Sequence, residues 1–386
     1  MLVDSQPNKN IVQKFVTTNA VNTCLLTESS IKKNPNVYIS ADKGNKKGNK
    51  NLAKFICWYD NELKKVKTFL MDTDCSDENT SDVADAIEHS TKRLFSDLPD
   101  IKLRGQCTDS GGGGTKTALE KALKQKQLTH EHYLLSTCSL HNLQTALRNG
   151  IEFVFGGGGM DENGFKLNCM QMLHGAYNLQ NWEEKECLKE MWEFIRDVER
   201  GNVEDIPFKA LSEPVATRWW LVGECACAFK ESIKAWRHIC VAIRNSTKSD
   251  SSSHQIASCT KNLMDNVSIR ADLYFLCGFH QYFMFPHFEH LQLGDPDSGN
   301  TPGFQARLMS ARYFLMILDL EALAYDKWRE REEFRDYKVI FDALDDEKKE
   351  LQRKKFTYAI QQAKNAIDKH FNIWIEIFFQ LCFRHK

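Results

Sequence analysis

From residue 36 onward the chain alternates short apolar runs with polar, turn-rich segments. NVYISAD (36–42) is a brief apolar run closed by an acid, and KGNKKGNKN (43–51) follows as a Gly, Asn and Lys turn. LAKFICWYD (52–60), a charged turn NELKK (61–65) and VKTFLMDTD (66–74) come next. Runs of this length and composition, joined by short turns, predict a three-stranded antiparallel meander. The period then changes. Val83, Ala84, Ile87 and Leu94, with Phe95, mark one face of a helix that Ser81 can cap. LRGQCTD (103–109) predicts a fourth strand ending in an acid. TKTALEKALKQKQ (115–127) is a strong helix former, and HYLLSTCSLHNLQTAL (132–147) begins as a strand and turns helical around His141. A crossover helix feeding a strand implies a mixed sheet with helical cover, so the fold class is α/β.

Beyond residue 168 the helical period dominates. It fits 169–180, 186–200, 219–243 and 304–328, and a last helix is expected over 359–383. Polar loops are expected at 245–255 and 292–303, and the GGGG run at 156–159 reads as a flexible loop. The expected organisation is a polar N-terminal tail (1–35), a sheet-bearing core (36–220) and a mostly helical domain (221–386). The closing segment FNIWIEIFFQLCF needs a partner surface, so that last domain is expected to be truncated.

Composition narrows the class. The 386 residues carry 51 Lys and Arg against 52 Asp and Glu, which argues against a histone-like polycation but leaves room for a local basic groove. Hydrophobic residues make 42%, a globular composition. No apolar run approaches the ~18 residues of a spanning helix, and the start lacks the apolar stretch of a secretory signal, so no membrane partner is expected. The 13 cysteines are scattered without a C-x-x-C pair, which reads as buried free thiols in a reducing compartment.

Two acids stand out as candidate chemistry. Asp42 ends the first predicted strand and Asp109 the fourth. If those strands pair, the two carboxylates become neighbours, and neighbouring carboxylates suit Mg²⁺ or Mn²⁺, which can activate an oxygen nucleophile at a phosphodiester. Ordinary strand-end acids are the plain alternative. Asp72 and Asp74 are rivals on the third strand. Lys43, Lys46, Lys47, Lys50 and Lys54, with Lys116, Lys121, Lys124 and Lys126, could form a basic rim for phosphates, or a solvated charge run. The run DSGGGGTKT (109–117) does not make a nucleotide-binding loop, because Thr115 stands before Lys116 where glycine is required. Cys138 and His141 supply two zinc ligands, half a site, or a structural junction. Arg218, beside Trp219 and Trp220, could meet a phosphate or lie over a helix start.

Taken in order, YISAD, CTDSGGGGT, TCSLHNL and ATRWW resemble the hAT superfamily of DNA transposases. The resemblance covers roughly residues 35–386 and implies a ribonuclease-H-like, retroviral-integrase-like core interrupted by a helical insertion. It maps the first catalytic Asp to Asp42 and the second to Asp109. It maps the Cys-x-x-His motif to Cys138 and His141, and the Thr-Arg-Trp signature to Thr217, Arg218 and Trp219. The family's third acid, a Glu on a helix after the insertion, has no match here. Neither does its C-terminal Glu-Arg-x-Phe-Ser stretch, and Cys24 alone cannot form the upstream zinc finger. The resemblance therefore implies an incomplete or domesticated copy, nuclear, that binds DNA weakly and without sequence preference and neither cleaves nor joins it. Self-association is left open. The alternatives are an active transposase or nuclease using Asp42, Asp109, an unidentified Glu and Mg²⁺ or Mn²⁺, and a helical interaction module without a DNA role.

Overall fold

The computed structural model describes residues 26–27, 29–34, 36–46, 49–63, 65–74, 80–94, 101–108, 113–137, 139–182, 193, 209–214, 219–293, 302–324 and 326–383. The chain divides into two compact units, Met1–His141 with Asp295–Ala306, and Asn142–Gly294 with Arg307–Lys386. The first division between these units falls between His141 and Asn142. The helix that carries both residues feeds Leu143, Ala146, Leu147, Ile151 and Phe155 into the helical core.

The first unit is built on β1 (Val37–Lys46), β2 (Asn49–Asp60), β3 (Lys65–Asp74), β4 (Leu103–Thr108) and β5 (Thr129–Thr137), with α1 (Thr80–Leu94) and α2 (Gly113–Gln125) between the later strands. The sheet order is β3-β2-β1-β4-β5. The β1–β2 and β2–β3 ladders are antiparallel, while β1–β4 and β4–β5 are parallel, which is the mixed sheet expected. Alternation places Val37 and Ile39 opposite Trp58 and Ile56, and this face closes on Val83, Ala84 and Ile87 of α1 and Leu119 and Leu123 of α2.

Two expectations change here. The Gly- and Lys-rich stretch after Asp42 is mostly strand, because cross-strand pairing carries the β1–β2 ladder out to Lys46↔Asn49. Turn-like composition is overridden where a partner strand supplies the backbone bonds. The tail also ends earlier than expected. Residues 29–33 are helical, Ile31 is fully buried against the sheet, and Ser30 accepts a hydrogen bond from Trp58 Nε1 at 2.9 Å. Ser30 Oγ donates in turn to Asp60 Oδ2 at 3.2 Å. Asp60 organises the β2–β3 turn: its carboxylate pairs with Lys67 at 2.8 Å and accepts the backbone N–H groups of Glu62 and Leu63. Lys67 first, then those N–H groups, hold its pKa down to about 2.

The second unit contains most of α3 (Ser139–Gly156), then α4 (Cys169–Trp182), α5 (Trp219–Glu231), α6 (Ile233–Ser246), α7 (Ser252–Asp265), α8 (Val267–Phe279) and a π-helical turn, His280–Met284. It continues with α9 (Phe285–Leu293), α10 (Pro302–Glu321), which begins in the first unit's Asp295–Ala306 segment, α11 (Arg335–Asp342) and α12 (Asp346–Phe383). Among the described residues of 221–386 the secondary structure is helical, as expected. The single helix read over 219–243 is broken at Ser232, whose Oγ bonds back to Ala228 O at 2.8 Å. Ser251 caps α7 through His254 N, which shortens the polar loop expected at 245–255. The GGGG run is part of a built turn. Gly158 has φ +135°, a Cβ there would meet Leu167 O at 2.9 Å, and Leu167 N donates to Gly159 O at 2.8 Å.

The core of this unit is aromatic. Phe275 packs on Phe155 at 5.5 Å and Phe356 at 4.3 Å between ring centroids, and Trp328 packs on Tyr337 at 4.7 Å. One buried carboxylate crosses it: Asp272 accepts from Gln352 Nε2 at 2.8 Å and Lys355 Nζ at 2.9 Å. Among the described residues, no helix is long and apolar enough to cross a membrane.

Candidate functional site

Of the two candidate acids, the structure describes Asp42, which lies on the central strand. β1 is hydrogen-bonded on both sides, to β2 and β4, so its residues are fixed in register by two ladders. The parallel ladder runs from Val37↔Leu103, with an irregularity after that pair, to Ala41↔Thr108. Asp42 is the next residue of β1, opposite Ala53 of β2, and the strand continues past it to Lys46. Asp42 is thus within the strand rather than at its end. Asp109, next in sequence after Thr108, lies outside the described residues. The rivals Asp72 and Asp74 are on β3, opposite Lys54 and Leu52, with β2 between them and β1.

The other sequence-based candidates distribute unevenly. Lys43 and Lys46 are on β1 and Lys50 on β2, with Lys43↔Leu52 and Asn45↔Lys50 paired across the hairpin. Lys116 is on α2, His141 on α3, and Trp219 is the first residue of α5. Lys47, Cys138, Thr217 and Arg218 lie outside the described residues. The lysines expected on a common rim do not share one environment. Lys54 is fully buried on β2, its Nζ 3.4 Å from Ala86 O of α1. A lysine's long apolar stem allows this where its head finds an oxygen. Lys124 pairs with Glu120, and Lys126 pairs with Asp85 and Glu88, so their charges are answered locally.

Back along the parallel ladder from Asp42, at the level of Ile39, Tyr133 Oη donates to the buried Gln106 Oε1 at 2.8 Å, tying β5 to β4. Burial raises the Tyr133 pKa, which keeps the phenol a donor. Arg104 on β4 meets His130 on β5 at 2.6 Å. Among the described residues, no group of three or more His, Cys, Asp and Glu side chains is arranged to hold a metal ion.

A second cluster, in the helical unit, had no signal in the sequence. A cleft of ≈ 410 Å³ is lined by Glu224, Cys227 and Glu231 of α5, His280 and Gln281 of the π-helical turn, and Phe285 among others. His280 is 5% exposed, its Nδ1 is buried without a hydrogen-bond partner, and burial pushes its pKa down to about 4. It lies edge-on to Trp220 at 5.1 Å. Nearby in sequence, His287 is buried and shares a 2.9 Å bond with Asp319. Neither histidine belongs to a spaced motif. A π-helical turn marks His280 locally but is not legible in residue types, and His287 lies beyond it, on α9.

Comparison of the chain with protein-family models finds no match. Comparison with curated proteins finds none either.

Proposed function

We propose that this chain is a transposase-derived protein of the hAT kind, with a ribonuclease-H-like sheet, that binds DNA through phosphate contacts without sequence preference and neither cleaves nor joins it. The observation that carries the reading is the register of the central strand. A meander followed by parallel strands, in the order β3-β2-β1-β4-β5, sets Asp42 one residue beyond Ala41↔Thr108, and Asp109 directly follows Thr108 in sequence. Two-ion phosphoryl transfer needs carboxylates that can share a pair of divalent ions, the role proposed for Asp42 and Asp109. Phosphate attraction is assigned to Lys43, Lys46, Lys47, Lys50, Lys116 and Arg218, and such contacts make affinity fall steeply with salt.

Inactivity follows from ligand number. Two carboxylates can hold one divalent ion, Mg²⁺ or Mn²⁺, but transfer needs both ions and the phosphate between them fixed, and no helical Glu is assigned to complete the set. A misplacement of about 1 Å can cost ~10²-fold in rate. The test is a labelled duplex titrated with the purified chain at rising salt, with and without Mg²⁺ or Mn²⁺. Salt-sensitive, sequence-indifferent binding without nicking is expected. Metal-dependent nicking lost in both D42A and D109A would establish an active nuclease instead. Absence of any salt-sensitive binding would leave a helical interaction module as the better reading.

A further inference from the structure

The helical unit contains a pair of thiols built into a close helix crossing. Helices α5 and α8 run antiparallel, and three successive contacts define their interface. At the first, Gly223 faces His280, just past the end of α8, so closely that a Cβ on Gly223 would lie 2.1 Å from His280 Nδ1. One turn further along α5, and nearly one turn back along α8, the same two faces carry Cys227 and Cys277, so the contacts on either side set the two thiols opposite each other, near enough to influence each other's titration. At the third, Lys230 Nζ sits 5.6 Å from the centre of the Tyr274 ring. The steps of three and four residues follow one face of each helix, so Gly223 sets the approach that brings the thiols together.

The two cysteines differ in access. Cys227 is partly exposed and lines the ≈ 410 Å³ cleft, whereas Cys277 is 1% exposed. Two further thiols, Cys225 and Cys169, are fully buried, so a small polar oxidant entering the cleft meets Cys227 before either of them. The Cys277 thiol opposite lowers the Cys227 pKa below the ordinary thiol value, and the Lys230 ammonium adds to this. Burial raises Cys277 well above it. An accessible, more acidic thiol beside a sheltered partner is the pairing of an attacking and a resolving cysteine.

We propose that Cys227 and Cys277 are a peroxide-responsive dithiol that closes to a disulfide between α5 and α8. The Cys227 sulfur attacks one oxygen of hydrogen peroxide, the O–O bond breaks, and hydroxide leaves with the thiol proton as water. The product is a sulfenic acid on Cys227. The Cys277 sulfur then attacks the Cys227 sulfur, the S–O bond breaks, and the departing hydroxide takes the Cys277 proton as a second water. Two thiols are oxidised by two electrons and one peroxide is reduced to two waters. The crossing joins α5, which begins at Trp219, to the helix that leads into the His280 turn. Closing it fixes the cleft wall.

The test uses the full chain, reduced and then exposed to stoichiometric hydrogen peroxide. Free thiols are alkylated and the digest is read by mass spectrometry. A peptide pair cross-linked through Cys227 and Cys277, reversed by dithiothreitol, is the expected product, and it forms before oxidation at Cys57 or Cys107. In C277S the expected product is a Cys227 sulfenic acid trapped by dimedone. The wild-type experiment needs no variant, so a folding defect in C277S does not remove the test. Cys227 left alkylatable while other cysteines oxidise, or a cross-link from Cys227 to a different cysteine, overturns the proposal.

Discussion

The sheet unit and the helical unit each answer one buried carboxylate, Asp60 in the first and Asp272 in the second, and differ in what else they bury. In the sheet unit, the buried Asp60 carboxylate is answered by Lys67, Ser30 and two backbone N–H groups, and the buried Trp58 indole by Ser30. The helical unit closes around aromatic rings and leaves His280 Nδ1 without a partner inside a tightly packed helix crossing. Satisfied groups specify a register at little net cost, while an unsatisfied one stores a penalty that depends on conditions. Each unit leaves a buried polar atom without a partner, Ser90 Oγ in the sheet unit and His280 Nδ1 in the helical unit, and of the two side chains only the imidazole takes up a proton on acidification. That imidazole makes the stability of the helical unit depend on pH between 6.5 and about 4.

The largest expected effect that separates the two units is removal of the central indole of the helical core. Trp328 is 2% exposed and touches Tyr337, Phe334, Phe341 and Phe356. Trp328→Ala is expected to destabilise the helical unit by about 3–5 kcal/mol through lost transfer and an unfilled cavity. Hydrogen exchange read peptide by peptide checks it. Protection should fall across 257–284 and 334–371 and hold across β1, β2 and β4. An equal loss in the strands would mean the two units unfold as one.

Acid should sharpen the comparison. His280 titrates near 4 in the folded chain against 6.5 ordinarily. Between those values the unfolded chain binds a proton that the folded chain does not, so the stability of the helical unit falls as pH drops from 6.5 toward 4 and levels off below. That gap is worth roughly 3 kcal/mol. His280→Gln should flatten the slope in this window. Asp60 works in a lower window with the opposite charge type. Its carboxyl lies at about 2 against 3.8, so the stability it contributes is present above about 4 and is lost as pH falls through about 2. Asp60→Asn should remove that lower step from the sheet unit alone. Denaturant titrations from pH 7 to 2, with exchange to assign each step, check both. A single shared transition would break the comparison.

What could be read from the sequence follows the same division. The alternating positions Val37 and Ile39 against Ile56 and Trp58 announce strands, and their order announces a mixed sheet, because a period of two and a change to 3.6 are local signals. The β1–β2 hairpin ran longer than its composition suggested, since Gly44, Asn45 and Lys46 read as turn until a partner strand is known. Lys54 looked like one more surface lysine, and only the packing of α1 on β2 shows that it is buried. The His280 and Cys227–Cys277 contacts join residues 50 or more positions apart by a helix crossing that Gly223 permits, and nothing in residue spacing encodes that crossing.

The smallest expected effect concerns where the sheet unit begins. Ser30 Oγ is the partner of the Trp58 indole N–H at 2.9 Å and reaches Asp60 at 3.2 Å. Trp58 is 3% exposed, so Ser30→Ala leaves a buried donor without an acceptor. The loss is expected to be about 1–2 kcal/mol, a hydrogen bond to a buried group plus its desolvation. It should appear as reduced exchange protection in β1 and β2 and leave the helical unit unchanged. Because Asp60 keeps Lys67 and its two backbone donors, the low-pH step should persist in Ser30→Ala, which separates this substitution from Asp60→Asn. If Ser30→Ala matched the parent chain, residues 29–34 would be dispensable to the sheet, and the unit would begin at β1, where the apolar pattern first announces a strand.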